Sequence, residues 1–387
     1  MKIFMLVSRV PWPLEKGDKL RAYHQLKELV KHHEVYLCCL TDTVINPDAL
    51  NELHKLTPHV QVIRLNRLLI GFNLFMGLFG KKPFQVRYFY QRRAHRKILR
   101  AIKQFNPDHI YCQLIRAAEY VKHLHEYKKT IDYMDALSAG QRRRIDKAPA
   151  WFRPFVREEA KRLTAYENLI FDYFDYHTII SEQDRQLIYH EKRNRIAIIP
   201  NGVNHEYFQP QKAEIKYELI FTGNMSYPPN VDCAQRLAKE IMPLVREHYP
   251  SVKLLLAGAT PTRSVSELAN ANVEVSGWLD DIRTAYNSAS IFVAPMRIGS
   301  GLQNKLLEAM SMNLPCVTTS LAARPMEATP DEHLLVGESN EDLARHIITL
   351  IEQKEYAKKI AAQGRQFVLD KFNWNKTVQS LIELISH

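Results

Sequence analysis

The residues with the clearest chemical content lie between positions 295 and 317. Gly299 and Gly301 precede a segment with helical periodicity, in which Lys305 and Glu308 are three positions apart on one face. A helix amino terminus offers N–H groups and partial positive charge to an anion. A cation beside two phosphates and a carboxylate beyond them would suit a nucleotide diphosphate followed by its ribose hydroxyls. By spacing alone, an ion pair on the surface of an amphipathic helix is the favoured interpretation.

The placement of the 13 glycines is also informative. Gly223, Gly258 and Gly277 each follow an apolar run typical of a strand, and Gly17 follows the first such run. Ligands of open parallel sheets bind beyond the carboxyl ends of the strands. A single glycine there indicates only a tight turn, whereas four or more at one edge favour a phosphate-bearing ligand.

Short β-rich runs alternate along the chain with helical patterns, and these elements would position the glycines and charged residues. Strands are predicted at residues 2–8, 34–40, 60–65, 108–112, 130–133, 177–181 and 195–199, and then at 218–222, 252–257, 273–276, 290–294 and 315–318. Helices are predicted at 18–31, 92–104, 115–125, 154–174 and 182–190, and then at 231–248, 281–288, 302–312, 341–352 and 373–385. His24 is interpreted as a surface residue of the first helix. The alternation predicts two α/β units that join near Pro200, each with helices on both faces of a parallel sheet.

Composition places the chain among soluble globular proteins. It has 387 residues, of which 46% are hydrophobic and 25% charged, and a chain of this length is expected to form two domains. No apolar run reaches the roughly 18 residues of a membrane-spanning helix, and only five apolar residues follow Lys2, too few for a secretory signal. The five cysteines are scattered without metal or redox spacing, which favours a reducing cytoplasm and structural thiols.

Positive charge is concentrated in the first half of the chain. The net charge of +11 divides into +14 over residues 1–200 and −3 over the rest. The segment 53–107 contains no acidic residue, and within it residues 68–79 are almost wholly apolar. Two interpretations carry equal weight: a segment lying in the interface of an anionic membrane, or a buried helix followed by a solvated basic one. Nucleic acid is disfavoured, because no recognition motif accompanies the charge.

Five segments of the second half, taken together, resemble glycosyltransferase family 4. In order they are Ile-Ile-Pro-Asn-Gly-Val at 198–203, Phe-Thr-Gly at 221–223, Leu-Leu-Ala-Gly at 255–258, Val-Ser-Gly-Trp-Leu-Asp-Asp-Ile at 275–282 and Lys-Leu-Leu-Glu-Ala-Met at 305–310. In the first half, Lys-Gly-Asp-Lys-Leu-Arg at 16–21 and Ile-Asp-Tyr-Met-Asp at 131–135 resemble the branch of this family associated with bacterial exopolysaccharide and exosortase systems.

The resemblance implies a fold and a domain organisation. The fold class is α/β, of the GT-B type, with two facing Rossmann-like domains, an interdomain cleft and a C-terminal helix that crosses back to the first domain. Residues 1–199 would form the acceptor domain, which faces the membrane, and residues 200–370 the donor domain. Residues 371–387 would form the returning helix.

The resemblance also implies roles for individual residues. Glu308 would hold the donor ribose, Gly17 would let the first domain approach the donor phosphates, and the backbone at Trp278 would meet the nucleobase. The residues expected to bind the donor are Gly17, Asp18, Gly223, Asn224, Trp278, Leu279, Arg297, Gly299, Ser300, Gly301 and Leu302. Two positions depart from the family pattern: Ser300 replaces a glutamate, and Asn224 stands in the loop where a cation is expected. The diphosphate charge would therefore rest mainly on Lys305, with Arg297 and the helix dipole.

The implied reaction transfers a sugar from a UDP- or GDP-linked donor to an acceptor hydroxyl, with retention and without a metal, in bacterial cell-surface polysaccharide synthesis. The expected catalytic residues are Lys305, Glu308 and Asp135. Asp135 is the first candidate for the general base and Asp18 the second, although a capping or turn role is favoured for either.

The expected partners are the nucleotide sugar, a glycan or lipid-linked acceptor, and an anionic membrane surface contacted through residues 53–107. No cofactor, metal or nucleic acid is expected, and the chain is expected in the cytoplasm, peripheral to the inner face of the membrane. The alternatives are a nucleotide-sugar epimerase of the same fold and a non-catalytic protein that binds the membrane surface.

Overall fold

The computed structural model describes residues 1–14, 16–146, 148–299 and 301–386, and the chain divides into two compact units. The first unit comprises residues 1–200 together with the end of the chain from Thr377, and the second comprises residues 201–376.

The first unit is built on a parallel sheet with the strand order β3-β2-β1-β4-β5-β6-β7. Its strands are β1 (Lys2–Val7), β2 (Glu34–Thr41), β3 (Val60–Arg64), β4 (His109–Gln113), β5 (Lys128–Asp132), β6 (Tyr176–Ile179) and β7 (Ala197–Ile198). Its helices are α1 (Gly17–Leu29), α2 (Pro47–His54), α3 (Arg67–Gly77), α4 (Phe84–Phe89), α5 (Arg92–Phe105), α6 (Leu137–Arg142), α7 (Arg153–Phe171) and α8 (Glu182–Gln186).

The second unit has a parallel sheet with the order β10-β9-β8-β11-β12-β13. Its strands are β8 (Tyr217–Thr222), β9 (Leu254–Ala257), β10 (Val273–Gly277), β11 (Ala289–Ala294), β12 (Cys316–Thr318) and β13 (Leu335–Val336). Its helices are α9 (Pro228–Arg236), α10 (Met242–His248), α11 (Arg263–Ser266), α12 (Ile282–Asn287), α13 (Asn304–Ser311), α14 (Ser320–Ala323), α15 (Asn340–Glu352) and α16 (Lys354–Lys371). The last helix, α17 (Trp374–Ser386), begins in the second unit and ends in the first.

Both sheets have the strand order of a Rossmann-like domain, with the first strand of each unit in the middle. The chain moves outward on one side of that strand and then crosses to the other side, so the carboxyl edge beside it is where ligands bind in such sheets. The predicted architecture of two α/β units with parallel sheets is confirmed.

The cores explain why the strands are almost continuously apolar. From Ile3 onward every residue of β1 is buried, since helices cover both faces of the sheet. The cysteines Cys38, Cys39, Cys112, Cys233 and Cys316 are all free and buried. Burial raises the pKa of the Cys38 thiol to about 12, which keeps it protonated and fits a structural role.

Two local predictions for the first unit are wrong. Residues 115–125 form turns with a short 3-10 segment at Ala118–Tyr120 rather than a helix. Residues 117–122 are all buried, whereas His123 and His125 are exposed, so the buried part of the segment packs as compact turns in the core. His24 is buried rather than on the surface, and burial lowers the pKa of its imidazole to about 4.

The apolar segment 68–79 is not a buried helix. It forms α3 and the turn after it, and most of its apolar side chains are exposed, among them Leu68 at 84% and Phe79 at 77%, whereas Ile70 is buried. Among the described residues, no helix combines the length and the apolar character that crossing a bilayer requires.

Candidate functional site

The candidate site of the second unit lies at the carboxyl edge of its sheet, where β8 and β11 end and α13 begins. α13 starts at Asn304 after Gln303, later than the two glycines Gly299 and Gly301. Lys305 is therefore in the first turn of the helix, not one turn further in. Leu302 is buried beside this turn. Ser300, predicted to help bind the donor, lies outside the described residues.

The Lys305 ammonium is held by polar oxygens and an aromatic ring. Its Nζ donates to Asn230 Oδ1 at 3.0 Å and to Gln303 Oε1 at 3.2 Å, and it lies 5.6 Å from the centre of the Phe221 ring. Burial lowers the pKa of Lys305. The side chain is thus held in place by neutral partners and keeps its charge uncompensated by a direct ion pair within the described residues.

The Glu308 carboxylate faces a different partner. Tyr286, which is fully buried on α12, donates its hydroxyl to Glu308 Oε2 at 2.9 Å and lies 2.8 Å from Thr222 Oγ1. Burial raises the pKa of Glu308 to about 7, against the smaller opposing effects of Tyr286 and Lys305. The interpretation of a surface ion pair between Lys305 and Glu308 is wrong, because each is bound elsewhere.

The loop after β8 has no cation but is tied to Lys305. Asn224 Oδ1 accepts from the backbone N–H of Ser226 at 2.9 Å, and the backbone oxygen of Asn224 accepts from Asn230 Nδ2 at 2.9 Å. Asn230 therefore connects this loop with the ammonium. A Cβ on Gly258 would lie 1.9 Å from the carbonyl oxygen of Gly223, so the two strand ends approach this closely only because residue 258 is glycine.

The loop after β11 is held from both sides. Thr318 Oγ1 donates to the carbonyl oxygen of Ala294 and Thr319 Oγ1 to that of Met296, each at 2.7 Å. The buried Arg236 guanidinium donates to the carbonyl oxygen of Pro295 at 3.1 Å. These bonds fix the backbone that leads to Gly299.

Arg297, the second predicted cation for the diphosphate, is paired with carboxylates. Its guanidinium lies 3.3 Å from Asp232 and 3.1 Å from Glu240. Glu240 lies in a π-helical turn, Leu237–Ile241, that joins α9 to α10. Pro243 near the start of α10 lacks the N–H that a regular helix would need, which explains the wider turn. The charge of Arg297 is therefore largely neutralised within the protein.

The predicted nucleobase region follows β10. Trp278 is 60% exposed, and its indole Nε1 donates to Asp280 Oδ1 at 3.2 Å. Leu279 is half-buried beside it. Nearby, Asp281 caps α12 and accepts from Arg283 Nη2 at 2.6 Å, and the Arg283 bonds lower the pKa of Asp281 to about 2.

In the first unit, Gly17 and Asp18 open α1 after β1. Arg9 Nη1 donates to Asp18 Oδ2 at 2.5 Å, and Gln113 Nε2 donates to the backbone oxygen of Asp18 at 3.1 Å. Asp18 thus connects the start of α1 with Arg9, which follows β1, and with Gln113 at the end of β4. Space for a side chain is open at Gly17, where a Cβ would meet nothing within 4 Å.

Asp135 follows β5 at the same edge of the first sheet. Burial, and then the charge of Asp184, raise the pKa of Asp135 to about 6, while Arg116 and Arg143 oppose the shift. A carboxyl group poised near neutral pH can accept a proton, as a general base must. Asp135 therefore stays the first candidate for that role.

Several supporting residues of these sites were not recognisable from the sequence. Tyr286 and Asn230 carry no motif and become meaningful only when folding brings them to Glu308 and Lys305. In the first unit, the buried Arg21 and Asp132 form an ion pair of 2.6 Å that joins the two segments resembling the exopolysaccharide branch. Apart from those two motifs, nothing in the sequence indicated that Arg21 and Asp132 lie next to each other.

A cavity of about 680 Å³ in the second unit lies at the opposite, amino-terminal edge of the sheet, near Tyr217 and Val273, away from the predicted site residues. Within the described part of the chain, no cluster of three His, Cys, Asp or Glu residues has the arrangement of a metal site.

Comparison with known proteins identifies the class of the second unit. Residues 216–353, which lie within it, match the family model described as glycosyl transferases group 1. The family resemblance found in the sequence is confirmed at this level. An uncharacterized 44.6 kDa protein from the cps region of Klebsiella pneumoniae is 23% identical, over 99% of both chains.

Solved structures agree on the fold. Sucrose-phosphate synthase from Thermosynechococcus elongatus is similar with a TM-score of 0.70 at 15% identity, over 100% of this chain and 98% of that one. Anabaena HepE in complex with UDP-glucose is similar with a TM-score of 0.70 at 11% identity, over 99% of both chains. The fold is therefore GT-B, as the sequence resemblance implied.

Proposed function

We propose that this chain transfers a sugar from a nucleotide-diphosphate sugar to an acceptor hydroxyl during the synthesis of a bacterial cell-surface polysaccharide. The observation that carries the proposal is the arrangement of Lys305 and Glu308 at the start of α13, each held by its own buried partner at the carboxyl edge of the second sheet. The match to the group 1 domain and the relative in a capsule region support it.

In the proposed mechanism, the second unit binds the donor. Lys305 and the amino terminus of α13 stabilise the negative charge that develops on the departing nucleoside diphosphate. Glu308 accepts hydrogen bonds from the ribose hydroxyls, and Trp278 and Leu279 contact the base. Asn230 accepts a hydrogen bond from Lys305 and thereby positions the ammonium.

The remaining features of the proposal concern chemistry and place. We infer independence of a metal ion, because a lysine and a helix terminus supply the charge that a metal would otherwise supply. We infer retention of configuration because the resemblance to glycosyltransferase family 4 implies it. Asp135 is the proposed base. UDP-sugars are the first donors to test, since the Anabaena neighbour is complexed with UDP-glucose, and GDP-sugars the second.

We also place the protein at an anionic membrane surface in the cytoplasm, where a lipid-linked glycan would be its acceptor. The support is the exposed apolar side of α3 and the exposed cations of α5, which include Arg92, Arg93, Arg96 and Lys97.

A screen of nucleotides and nucleotide sugars by thermal shift tests donor binding, because a ligand that binds the folded state raises the melting temperature. For the best donor, Lys305→Gln is expected to weaken binding by about tenfold to a hundredfold, since a charge-assisted hydrogen bond contributes roughly 1.5–3 kcal/mol. Lys354→Gln, which neutralises an exposed lysine of α16, serves as the matched control and should leave affinity unchanged.

Product analysis completes the test. Sugar transfer to an acceptor that continues in the presence of a chelator, with the donor configuration preserved in the product, is the expected result. If no nucleotide or nucleotide sugar stabilises the protein, or if Lys305→Gln binds the donor as tightly as the wild type, the proposal is wrong. Conversion of the donor without any acceptor would instead identify an epimerase.

A further inference from the structure

A groove of about 560 Å³ in the first unit lies along one side of α7, away from the predicted donor and base residues. Three cations line it, Arg142, Arg157 and Lys161, together with the polar side chains of Thr164 and Asn168, the ring of Tyr189 and the apolar side chains of Ile145, Ala160 and Ala165. No acidic residue is among the described residues that line it. The groove therefore favours an anionic ligand.

Helix geometry aligns these groups. Arg157, Lys161, Thr164 and Asn168 follow one another at intervals of four, three and four residues, so they form one continuous face of α7. The neighbouring Glu158 lies outside the lining and is bound by Arg162 Nε at 2.7 Å.

The cations that line the groove are not neutralised by carboxylates of the described residues. The Arg142 guanidinium lies 4.8 Å from the centre of the Tyr189 ring and donates weakly to Thr164 Oγ1 at 3.4 Å, which holds it over the groove. Arg157 and Lys161 are exposed, and among the described residues neither forms an ion pair. A phosphate oxygen could accept from both, since arginine offers a planar fork and lysine a point charge.

Two exposed aromatic residues precede α7 in the chain. Trp151 and Phe152 immediately precede α7, and Trp151 is 81% exposed. Arg157 lies about one turn into the helix that these two aromatic residues precede. Tryptophan is enriched at the level of lipid headgroups, which is also where the phosphates of a bilayer lie.

The same helix is packed on the exposed apolar segment. Phe155 on α7 contacts Phe84 with ring centres 4.6 Å apart, and Arg162 Nη1 donates to the carbonyl oxygen of Gly77, the last residue of α3, at 2.7 Å. α7 is therefore joined to the end of α3 by this hydrogen bond and to α4 by the ring contact, and it carries two exposed cations, Arg157 and Lys161, about one and two turns after its first residue.

We propose that the groove along α7 binds the phosphate of an anionic phospholipid headgroup in a bilayer. This inference rests on the membrane association proposed above and gives it a defined site outside residues 53–107.

The test measures binding of the full chain to vesicles of phosphatidylcholine with and without phosphatidylglycerol. Arg157→Gln/Lys161→Gln is expected to weaken binding to the anionic vesicles by about tenfold or more, because each basic residue near an anionic surface contributes about 1 kcal/mol. Lys354→Gln/Lys359→Gln removes the same charge from exposed positions on α16 in the second unit and should change binding less than twofold. Circular dichroism and the thermal shift with the donor confirm that both variants are folded.

Each outcome has a distinct meaning. Loss in the groove variant alone supports the site. Equal binding by the groove variant and the wild type overturns the groove and leaves membrane association standing. Absence of vesicle binding by the wild type overturns membrane association and the groove together, while donor binding is unaffected. If inorganic phosphate raises the melting temperature of the wild type but not of the groove variant, and vesicle binding is equal, the site serves a soluble phosphate and the lipid assignment is wrong.

Discussion

Lys305 and Glu308 lie on one helix face, yet their side chains have separate neighbours. Lys305 bonds to Asn230 and Gln303, while Glu308 bonds to Tyr286. Because neither forms an ion pair within the part of the chain that the structure describes, both groups are available to a ligand that carries phosphates and hydroxyls. Burial acts on them in opposite directions, lowering the pKa of Lys305 and raising that of Glu308 to about 7.

The raised pKa of Glu308 predicts a pH-dependent stability. Its ordinary pKa is 4.5 and its folded value about 7, so the unfolded chain loses the proton first as pH rises. Stability contributed by the protonated group is complete below pH 4.5 and is lost as pH rises to about 7. Glu308→Gln has no proton to lose at this position. Its free energy of unfolding, relative to that of the wild type, should therefore rise by roughly 1–3 kcal/mol between acid and neutral pH.

Melting curves of the two proteins over this pH range measure the effect. Glu247 is an exposed glutamate of α10, and the melting curves of Glu247→Gln control for the loss of one acidic group. Glu308→Gln and wild-type curves that remain parallel across the range would contradict the assigned environment of Glu308.

At the scale of elements, an ion pair connects α1 to the sheet of the first unit. Arg21 on α1 donates from Nε to Asp132 Oδ2 at 2.6 Å and from Nη1 to the carbonyl oxygen of Ile199 at 2.8 Å. Tyr111 and Thr178 add hydroxyl bonds to Asp132, at 2.8 and 2.9 Å. The pair fixes the start of α1, and with it Gly17 and Asp18, over the carboxyl edge of the sheet.

Removing one partner of this pair should destabilise the protein strongly. Arg21→Met leaves the Asp132 carboxylate buried without its cation, which costs about 3–5 kcal/mol. Arg21→Met/Asp132→Asn removes both charges and should cost less than the single change. Urea unfolding measures both. A single variant as stable as the wild type would show that the pair contributes little.

The strands were largely predictable from the sequence, for physical reasons. Each strand of the two sheets except β13 was recognised, because strands buried on both faces are short apolar runs that few other structures produce. The two-residue β13 is too short to give a pattern. The pattern of residues 115–125 is typical of a helix, yet the segment forms turns. Most of its apolar residues are buried, so their spacing along the chain does not distinguish a helix from packed turns.

The site was only partly predictable. Lys305, Glu308 and the glycines carry a motif, since their roles depend on local spacing along one loop and one helix. Tyr286 and Asn230 lie far from them in sequence and meet them only through the strand order. The pairing of Arg297 with Asp232 and Glu240 likewise depends on the packing of α9 and was invisible in the sequence.

At the scale of the whole molecule, charge divides the chain. Residues 1–200 carry +14 and the remainder −3, and α5 contributes exposed cations along one side, while Ile98, Ala101 and Phe105 on its other side are buried. Such a distribution favours attraction of the first unit, and not the second, to an anionic surface.

This asymmetry predicts which charges matter for membrane association. Neutralising Arg92, Arg93, Arg96 and Lys97 to Gln should weaken binding to phosphatidylglycerol vesicles by a hundredfold or more, because four charges contribute about 1 kcal/mol each near the surface. Neutralising Lys212, Lys239, Lys354 and Lys359, all exposed in the second unit, lowers the net charge of +11 by the same four units. If binding depends on the position of the charges, only the first variant loses it, and wild-type binding falls as salt is raised. Equal losses in the two variants would show that net charge alone attracts the protein to the vesicle, and that the basic helix of the first unit has no special part in it.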